Sequence, residues 1–447
     1  LLFRSVLAIP FVSDTLSAVM LLVTALSTLA ASVFLVLTGE ARYRFVPPLV
    51  LLLSAGVNGA LITGDLFNLF VWVEVMLLPS YALIALTGTW RRLGIGRLFV
   101  LVNLLTSTVL LIGVGFVYGT AGTVNLAALA GAGGENPVTA AALAVVLLAL
   151  AVKGGMVPVH SWLPRAYPAT SAGIMALFSA LHTKVALYAM YRIVAVAFGD
   201  ELPFLTVFAV LVLATILVGA FSTAAATRVR TAMGHQMVTG VGHILLGLVL
   251  LTQLSVTAGI LYLVHHVITM SSLLLTTGAL EHTYGSGRLD RLSGLARREP
   301  WVMAVMALGM FSLVGLPPTS GLWGKVGLLQ APSEQITGGD AVLGWAALCA
   351  VVVASVGSLL GLQRVWRRLA WGEDMTTYRP DDPTTGRGEE QPLPDEVRVP
   401  RRLLAPGAAM IALSLALFAG IGGVLPSIDA AATDLLDVEA YVEAVIG

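Results

Sequence analysis

The sequence predicts an all-α polytopic membrane protein of about 12 helices. Of 447 residues, 57% are hydrophobic and 11% charged, and mean hydropathy is +0.90, outside the range of ordinary soluble domains. The apolar residues gather into runs of roughly 18 to 26, the length that crosses a ~30 Å hydrocarbon layer at about 1.5 Å rise per residue. Such runs cross as helices, because in lipid the backbone must satisfy its own hydrogen bonds.

In chain order, the spans fall at 13–38, 47–63, 67–88, 98–118, 137–158, 169–196, 203–223, 233–251, 256–280, 300–329, 341–364 and 403–425. Arg42 and Arg44 follow the first span, and Arg91, Arg92 and Arg97 follow the third. Arg165, Arg228 with Arg230, Arg288 to Arg298, and Arg364 to Arg402 occupy every second connection after that. The alternate connections, 119–136, 197–202, 252–255 and 330–340, carry almost no basic residues, so the arginine-bearing loops are cytoplasmic. The one long hydrophilic insert, ³⁷¹WGEDMTTYRPDDPTTGRGEEQPLPDEVRVPRR⁴⁰², is rich in proline and charge and reads as a flexible cytoplasmic loop. No soluble domain is expected. Zero net charge gives no sign of nucleic acid, and the single Cys349 excludes an intrachain disulfide.

The 25 basic residues are 22 arginines and three lysines. Nearly all the arginines lie in loops or at helix ends, whereas Lys153, Lys184 and Lys325 all fall inside apolar runs. Glu74 lies within ⁶⁶LFNLFVWVEVMLLPSYALIAL⁸⁶, about two turns into its helix and too short to reach water. Each such group costs about 2.5–3.5 kcal/mol at a helix centre, so four unpaired would cost about 10–14 kcal/mol. They must pair or meet water. Lysine suits proton transfer better than arginine, since a buried ammonium can lose its proton and a guanidinium does not. Glu74 is expected to pair with a lysine from another span, against the blander reading of a purely structural ion pair.

Two spans are expected to be discontinuous. Upstream of ¹⁴⁸LALAVKGGMVPVHSWLP¹⁶⁴ the pair Asn136-Pro137 starts the helix, and within it Gly154, Gly155 and Pro158 interrupt it just after Lys153. In ³¹¹FSLVGLPPTSGLWGKVGLL³²⁹ a second break falls at Gly315, Pro317, Pro318 and Gly321, near Lys325. A proline kink alone is common in membrane helices. A kink beside a lone lysine is not, and two oppositely running examples five places apart in the order of spans suggest inverted repeats around a hydrated core. Lys184 lies on the helix after the first break, placed to receive a proton from Lys153.

Of seven histidines, His243, His265 and His266 are the best relay candidates, and His160 lies in the first break. Each alone is more often a helix-packing polar group. Their spacing makes no metal motif, and neither a phosphate loop nor a nucleotide, quinone or haem signature stands out, so no cofactor or metal is expected. No nucleophile–base constellation suggests an enzyme.

The run ⁵⁵AGVNGALITGDLFNLFVWVEVMLLPSYALI⁸⁴ closely resembles the signature of the large D-type subunits of multisubunit Mrp-type cation/proton antiporters. The wider superfamily includes the antiporter-like subunits of respiratory complex I and membrane-bound hydrogenases. ¹⁵³KGGMVPVHSWLPRAYPAT¹⁷⁰, ¹⁸³TKVALYA¹⁸⁹ and ³¹⁵GLPPTSGLWGK³²⁵ add to the resemblance, which covers nearly the whole chain. It implies an antiporter-like fold with two inverted five-helix repeats, here 47–200 and 201–366. Region 1–46 would hold one helix, with two further helices preceding Leu1, followed at the other end by a loop at 367–402 and a helix and tail at 403–447. On this match Glu74 and Lys153 form the family's glutamate–lysine pair, Lys184 is the connecting lysine, and Lys325 is that of the second broken helix.

Two departures stand out. In ²⁶⁵HHVITM²⁷⁰, His266 and Met270 replace the acid and lysine common in the family, and His160 looks more like the complex I and A-type subunits. The resemblance implies a secondary transporter subunit of a bacterial plasma membrane. Partner subunits, protons and Na⁺ would be its company, with protons moving along Glu74, Lys153, Lys184, the histidines and Lys325. The alternatives are a proton-pumping subunit of a redox complex, which would hold the same lysines, and a structural membrane scaffold whose buried charges only join helices.

Overall fold

The computed structural model describes residues 8–85, 90–199, 202–379 and 389–447. Residues 86–88 of the third predicted span, the side chains of Arg91 and Arg92, and the centre of the insert at 380–388 lie outside the described residues. The chain is an antiparallel helical bundle. We number the principal helices α1 (Thr15–Leu37), α2 (Val46–Ile62), α3 (Leu66–Ala85), α4 (Trp90–Ala121), α5 (Pro137–Gly154), α6 (Trp162–Ala166), α7 (Ala172–Phe198) and α8 (Leu205–Ser222). The remainder are α9 (Val229–Leu250), α10 (Gln253–Tyr284), α11 (Pro300–Val314), α12 (Gly321–Gln330), α13 (Ala341–Ala370), α14 (Arg401–Ala419), α15 (Ile421–Leu436) and α16 (Val438–Ile446). Among the described residues ten helices are long and apolar enough to cross a membrane, and α2 and α11 are shorter apolar helices.

Helix starts follow their caps. Asp14 closes a capping box with Ser17 at α1, Thr252 does so with Ser255 at α10, and the Asn136 side chain accepts from the backbone N–H groups of Val138 and Thr139 ahead of α5. The outer helices α1, α4, α8 and α13 turn large apolar side chains such as Leu22, Leu105, Val210 and Leu360 outward, as a lipid-facing surface requires. Helices α7 and α10 are enclosed on every side and α9 nearly so. These three inner helices carry most of the candidate histidines and Lys184.

Both predicted interruptions are present and built alike. Helix α5 stops at Gly155 (φ 84°) and α11 at Gly315 (φ 90°), in the left-handed region where a Cβ is strained. In each, the next residue folds back: Met156 N–H donates to Ala151 O at 3.0 Å and Leu316 N–H to Phe311 O at 2.9 Å, the Schellman closure of a helix end. The span expected at 137–158 therefore ends at Gly154, because Gly155 terminates it before Pro158 is reached. Lys153 precedes its break, whereas Lys325 follows its own.

Two expectations are corrected. The helix and tail predicted at 403–447 are three helices: α14 ends at Gly420, α15 folds back against α1, α7 and α10, and α16 packs on α15 and the turn at Ala127–Leu129. Asp434 is bonded to Thr15, and Asp429 accepts from Gln253 and Thr257. The loop expected at 367–402 starts only after Ala370, where α13 ends and the hydrophilic insert begins, and its described parts are anchored by specific bonds. Thr377–Tyr378 pairs with Gln391–Pro392, Arg297 binds Asp374, and the buried Glu299 carboxylate accepts from Tyr284 Oη at 2.5 Å and Val399 N–H at 2.7 Å. Charge composition signalled flexibility here, but specific carboxylate and arginine partners override it.

Candidate functional site

All three lysines are buried, and each donates to a hydroxyl rather than to a carboxylate. Lys153 Nζ donates to Ser107 Oγ on α4 at 2.9 Å, Lys184 Nζ to Thr183 Oγ1 at 3.2 Å, and Lys325 Nζ to Ser355 Oγ on α13 at 2.7 Å. The expected Glu74–Lys153 ion pair is not closed. Glu74 is the opposite charge that acts on Lys153, yet its Oε1 is buried with no hydrogen-bond partner. The lysine has reached across to α4 instead.

The histidines on α9 and α10 lie together. His243 Nδ1 donates to Thr239 O at 2.9 Å and His266 Nε2 to Gln236 O at 3.4 Å. A carbonyl only accepts, so these bonds set the tautomers and leave His243 Nε2 and His266 Nδ1 as buried, unpartnered atoms. His243 stacks on Tyr262 (centroids 4.9 Å apart, planes 14°), and His265 meets the same ring edge-on. His265 Nδ1 sits among hydroxyls, 3.2 Å from Ser320 and Thr269 and 3.3 Å from Ser312, while its Nε2 has no partner. Lys325 acts electrostatically on His243 and His265, and Lys184 on His266. Met270, in the family lysine's place, is fully buried one turn beyond His266.

Backbone makes room for these groups at two glycines. A Cβ on Gly240 would lie 2.0 Å from His266 Nε2, so the imidazole packs directly on that backbone. A Cβ on Gly315 would lie 2.6 Å from Lys325 Cδ, so the second break both ends α11 and seats the lysine stem.

Contacts and electrostatic neighbours link the predicted residues into two groups. Glu74 and Lys153 lie in the first; Lys184, His266, His265, His243 and Lys325 lie in the second. Lys153 reaches His182 electrostatically, a residue that sequence reasoning does not single out. His182 Nε2 is 2.8 Å from Ser80 Oγ, on the helix of Glu74, and its Nδ1 is 3.5 Å from Tyr167 Oη. His182 and Lys184 are two residues apart on α7, and such positions point to nearly opposite sides of a helix. The two side chains therefore leave α7 in different directions, His182 toward Ser80 and Tyr167 and Lys184 within the field of His266. The adjacency in ¹⁸²HTK¹⁸⁴ is the signal that could have found it. His160 belongs to neither group: it acts on His235 at the first break, and Nδ1 of each is buried without a partner. Among the described residues no three His, Cys, Asp or Glu side chains converge on a metal position.

Two helices broken at matching left-handed glycines, around buried lysines and histidines, define an antiporter-like membrane protein. Residues 63–355 match the family described as NADH:quinone oxidoreductase/Mrp antiporter, TM, and the chain belongs to that family, on the branch of the D-type Mrp antiporter subunits. It is 32% identical over 440 residues to the D-type Na(+)/H(+) antiporter subunit of Bacillus subtilis, covering 97% of this chain and 85% of the relative. A chain of the Mrp complex from Dietzia superposes with a TM-score of 0.93 at 42% identity, covering 100% of this chain and 88% of that one. A chain of an archaeal membrane-bound sulfane sulfur reductase superposes with a TM-score of 0.84 at 25% identity, covering 99% and 87%.

Proposed function

We propose that this chain is the proton-translocating subunit of a multisubunit Na⁺/H⁺ antiporter in a bacterial plasma membrane, a secondary transporter working with partner subunits. The observation that carries the reading is the arrangement of the three buried lysines, each held by one hydroxyl and none locked to a carboxylate. An ammonium so held can give up its proton without stranding a buried anion, which a tight ion pair would do.

Protons pass between the two groups. In the first, Lys153 alternates between Ser107, as here, and Glu74. Closing the Glu74–Lys153 pair favours both charged forms, and opening it releases the lysine to lose a proton toward His182. In the second, the bare nitrogens of His243, His265 and His266 supply acceptors between Lys184 and Lys325. Water completes the gaps, since the charged forms need it at membrane depth.

The redox-pump alternative has the same lysines, and the stronger likeness to antiporter relatives favours exchange. The test is proton flux in everted vesicles holding the assembled complex, with Na⁺ added and no redox substrate present. Flux that follows the Na⁺ pulse and disappears in assembled Glu74→Ala complexes is expected. Flux that needs a redox substrate, or that survives Glu74→Ala unchanged, contradicts the reading.

A further inference from the structure

Arg192 breaks the charge pattern. It lies near the outer end of α7, where the alternation of arginine-bearing loops leaves no place for a cation, and it is only 6% exposed. A guanidinium buried at that depth must be compensated. Here an ion pair with Asp14, the cap of α1, supplies the charge, and Nε donates to Tyr188 Oη at 3.1 Å. The guanidinium also lies over two rings, 5.3 Å from the Tyr188 centroid and 6.0 Å from that of Tyr441. Tyr441 comes from α16, which is laid across this end of the bundle. It packs so closely on the turn before α3 that a Cβ on Gly64 would lie 3.0 Å from its hydroxyl.

Lys184, Tyr188 and Arg192 recur every four residues, so they line one face of α7 at steps of about 6 Å. Beside the outer two is a cavity of about 20 Å³, enough for one water molecule, reached by Thr63, Asp65, Tyr188, Ala189 and Arg192. Tyr188 Oη donates to Leu61 O at 2.6 Å, so its own proton is engaged and conduction past it runs through water. A fixed cation in such a path repels protons and metal cations. Arginine is suited to that and not to relay, because it keeps its charge.

We propose that the outer end of α7 is a proton port connecting Lys184 with the outer aqueous phase, closed in this structure by the Arg192–Asp14 pair and by Tyr441. The proposal rests on the reading of Lys184 as a proton carrier, and adds an outer access route and the parts that shut it. Opening requires the guanidinium to leave the face shared with Tyr188 and the Tyr441 ring to lift, after which the cavity fills and joins the outside.

The test uses the assembled complex with Cys349→Ser and Ala189→Cys, labelled from the outer side of right-side-out vesicles by a membrane-impermeant methanethiosulfonate. Labelling is expected to be slow, and at least tenfold faster after Arg192→Gln or Tyr441→Ala. Rates unchanged by both substitutions in assembled complexes, or labelling only from the cytoplasmic side, would overturn the port. This readout needs no transport, so it separates the port from the antiporter reading. A second readout tests the link to Lys184. Arg192→Gln should raise Na⁺-independent proton leak at least threefold, and adding Lys184→Ala should remove that leak. A leak that persists without Lys184 overturns its assignment as the residue served.

Discussion

Lys153 Nζ donates to Ser107 Oγ at 2.9 Å and makes no ion pair with Glu74, the opposite charge that acts on it. The hydroxyl is thus a competitor of the carboxylate. A hydrogen bond from a charged donor is worth about 1.5–3 kcal/mol, enough to hold the lysine away from Glu74 until the local field changes.

Ser107→Ala removes that competitor. Lys153 should then fall back onto Glu74, and the step that separates them should become harder. A loss of about 1.4 kcal/mol is tenfold in rate, so Na⁺-driven proton flux should drop about tenfold in complexes that still assemble. Ser107→Thr, which keeps the hydroxyl, should stay within about threefold of wild type. Equal flux in the Ala and wild-type complexes would show that the bond has no part in the cycle.

His182 joins Ser80 to Tyr167 and feels the charge of Lys153. His182→Gln can preserve hydrogen bonds to both hydroxyls but cannot carry a proton at neutral pH. At unchanged complex melting temperature, flux should fall at least tenfold. Normal flux in the Gln variant would reduce His182 to a packing bond between α3, α7 and the segment after α6.

The two breaks offer a matched comparison. Alanine at Gly155 or Gly315 meets the same left-handed backbone, at a cost of about 1–3 kcal/mol each. At Gly155 the new Cβ would approach Leu163, at 2.7 Å, whereas at Gly315 it would approach Lys325. Both variants should lower the melting temperature of the purified complex, but Gly315→Ala should lose the larger share of flux per assembled complex. Equal flux losses would mean that Lys325 tolerates displacement from Ser355.

Gly240→Ala tests the histidine group without replacing a titratable residue. A methyl 2.0 Å from His266 Nε2 must push the ring off Gln236 O, and overpacking of this kind costs about 1–3 kcal/mol. Loss of flux with an assembled, somewhat less stable complex is expected. Full flux would show that the position of His266 is immaterial to transport.

The helices and both breaks are legible in the sequence because apolar length and glycine–proline chemistry are local signals. Lys153, Lys184 and Lys325 stand out because a lysine in an apolar run is costly wherever it lies. Which polar atoms those lysines meet is not legible. Ser107 and Ser355 are ordinary serines on other helices, and only packing brings them within reach. The link of His182 to the first group is hidden for a related reason: Ser80 and Tyr167, which hold it, come from other segments. The helices α15 and α16 are hidden because proline and small residues in ⁴¹⁹AGIGGVLPSIDAAATDLL⁴³⁶ blur the apolar boundary, while Gly420 and the bonds from Asp429 and Asp434 turn the chain back over the bundle.

The central claim, that protons cross on this buried axis, is tested most directly by Na⁺-dependent proton flux with Lys153→Ala. A pH-sensitive dye in everted vesicles would read the flux, with a native gel to verify assembly. The account predicts that the variant complex assembles and that its flux disappears into the background of empty vesicles. Wild-type flux through an assembled Lys153→Ala complex would contradict it, leaving the Glu74–Lys153 region structural and the transport path in another subunit.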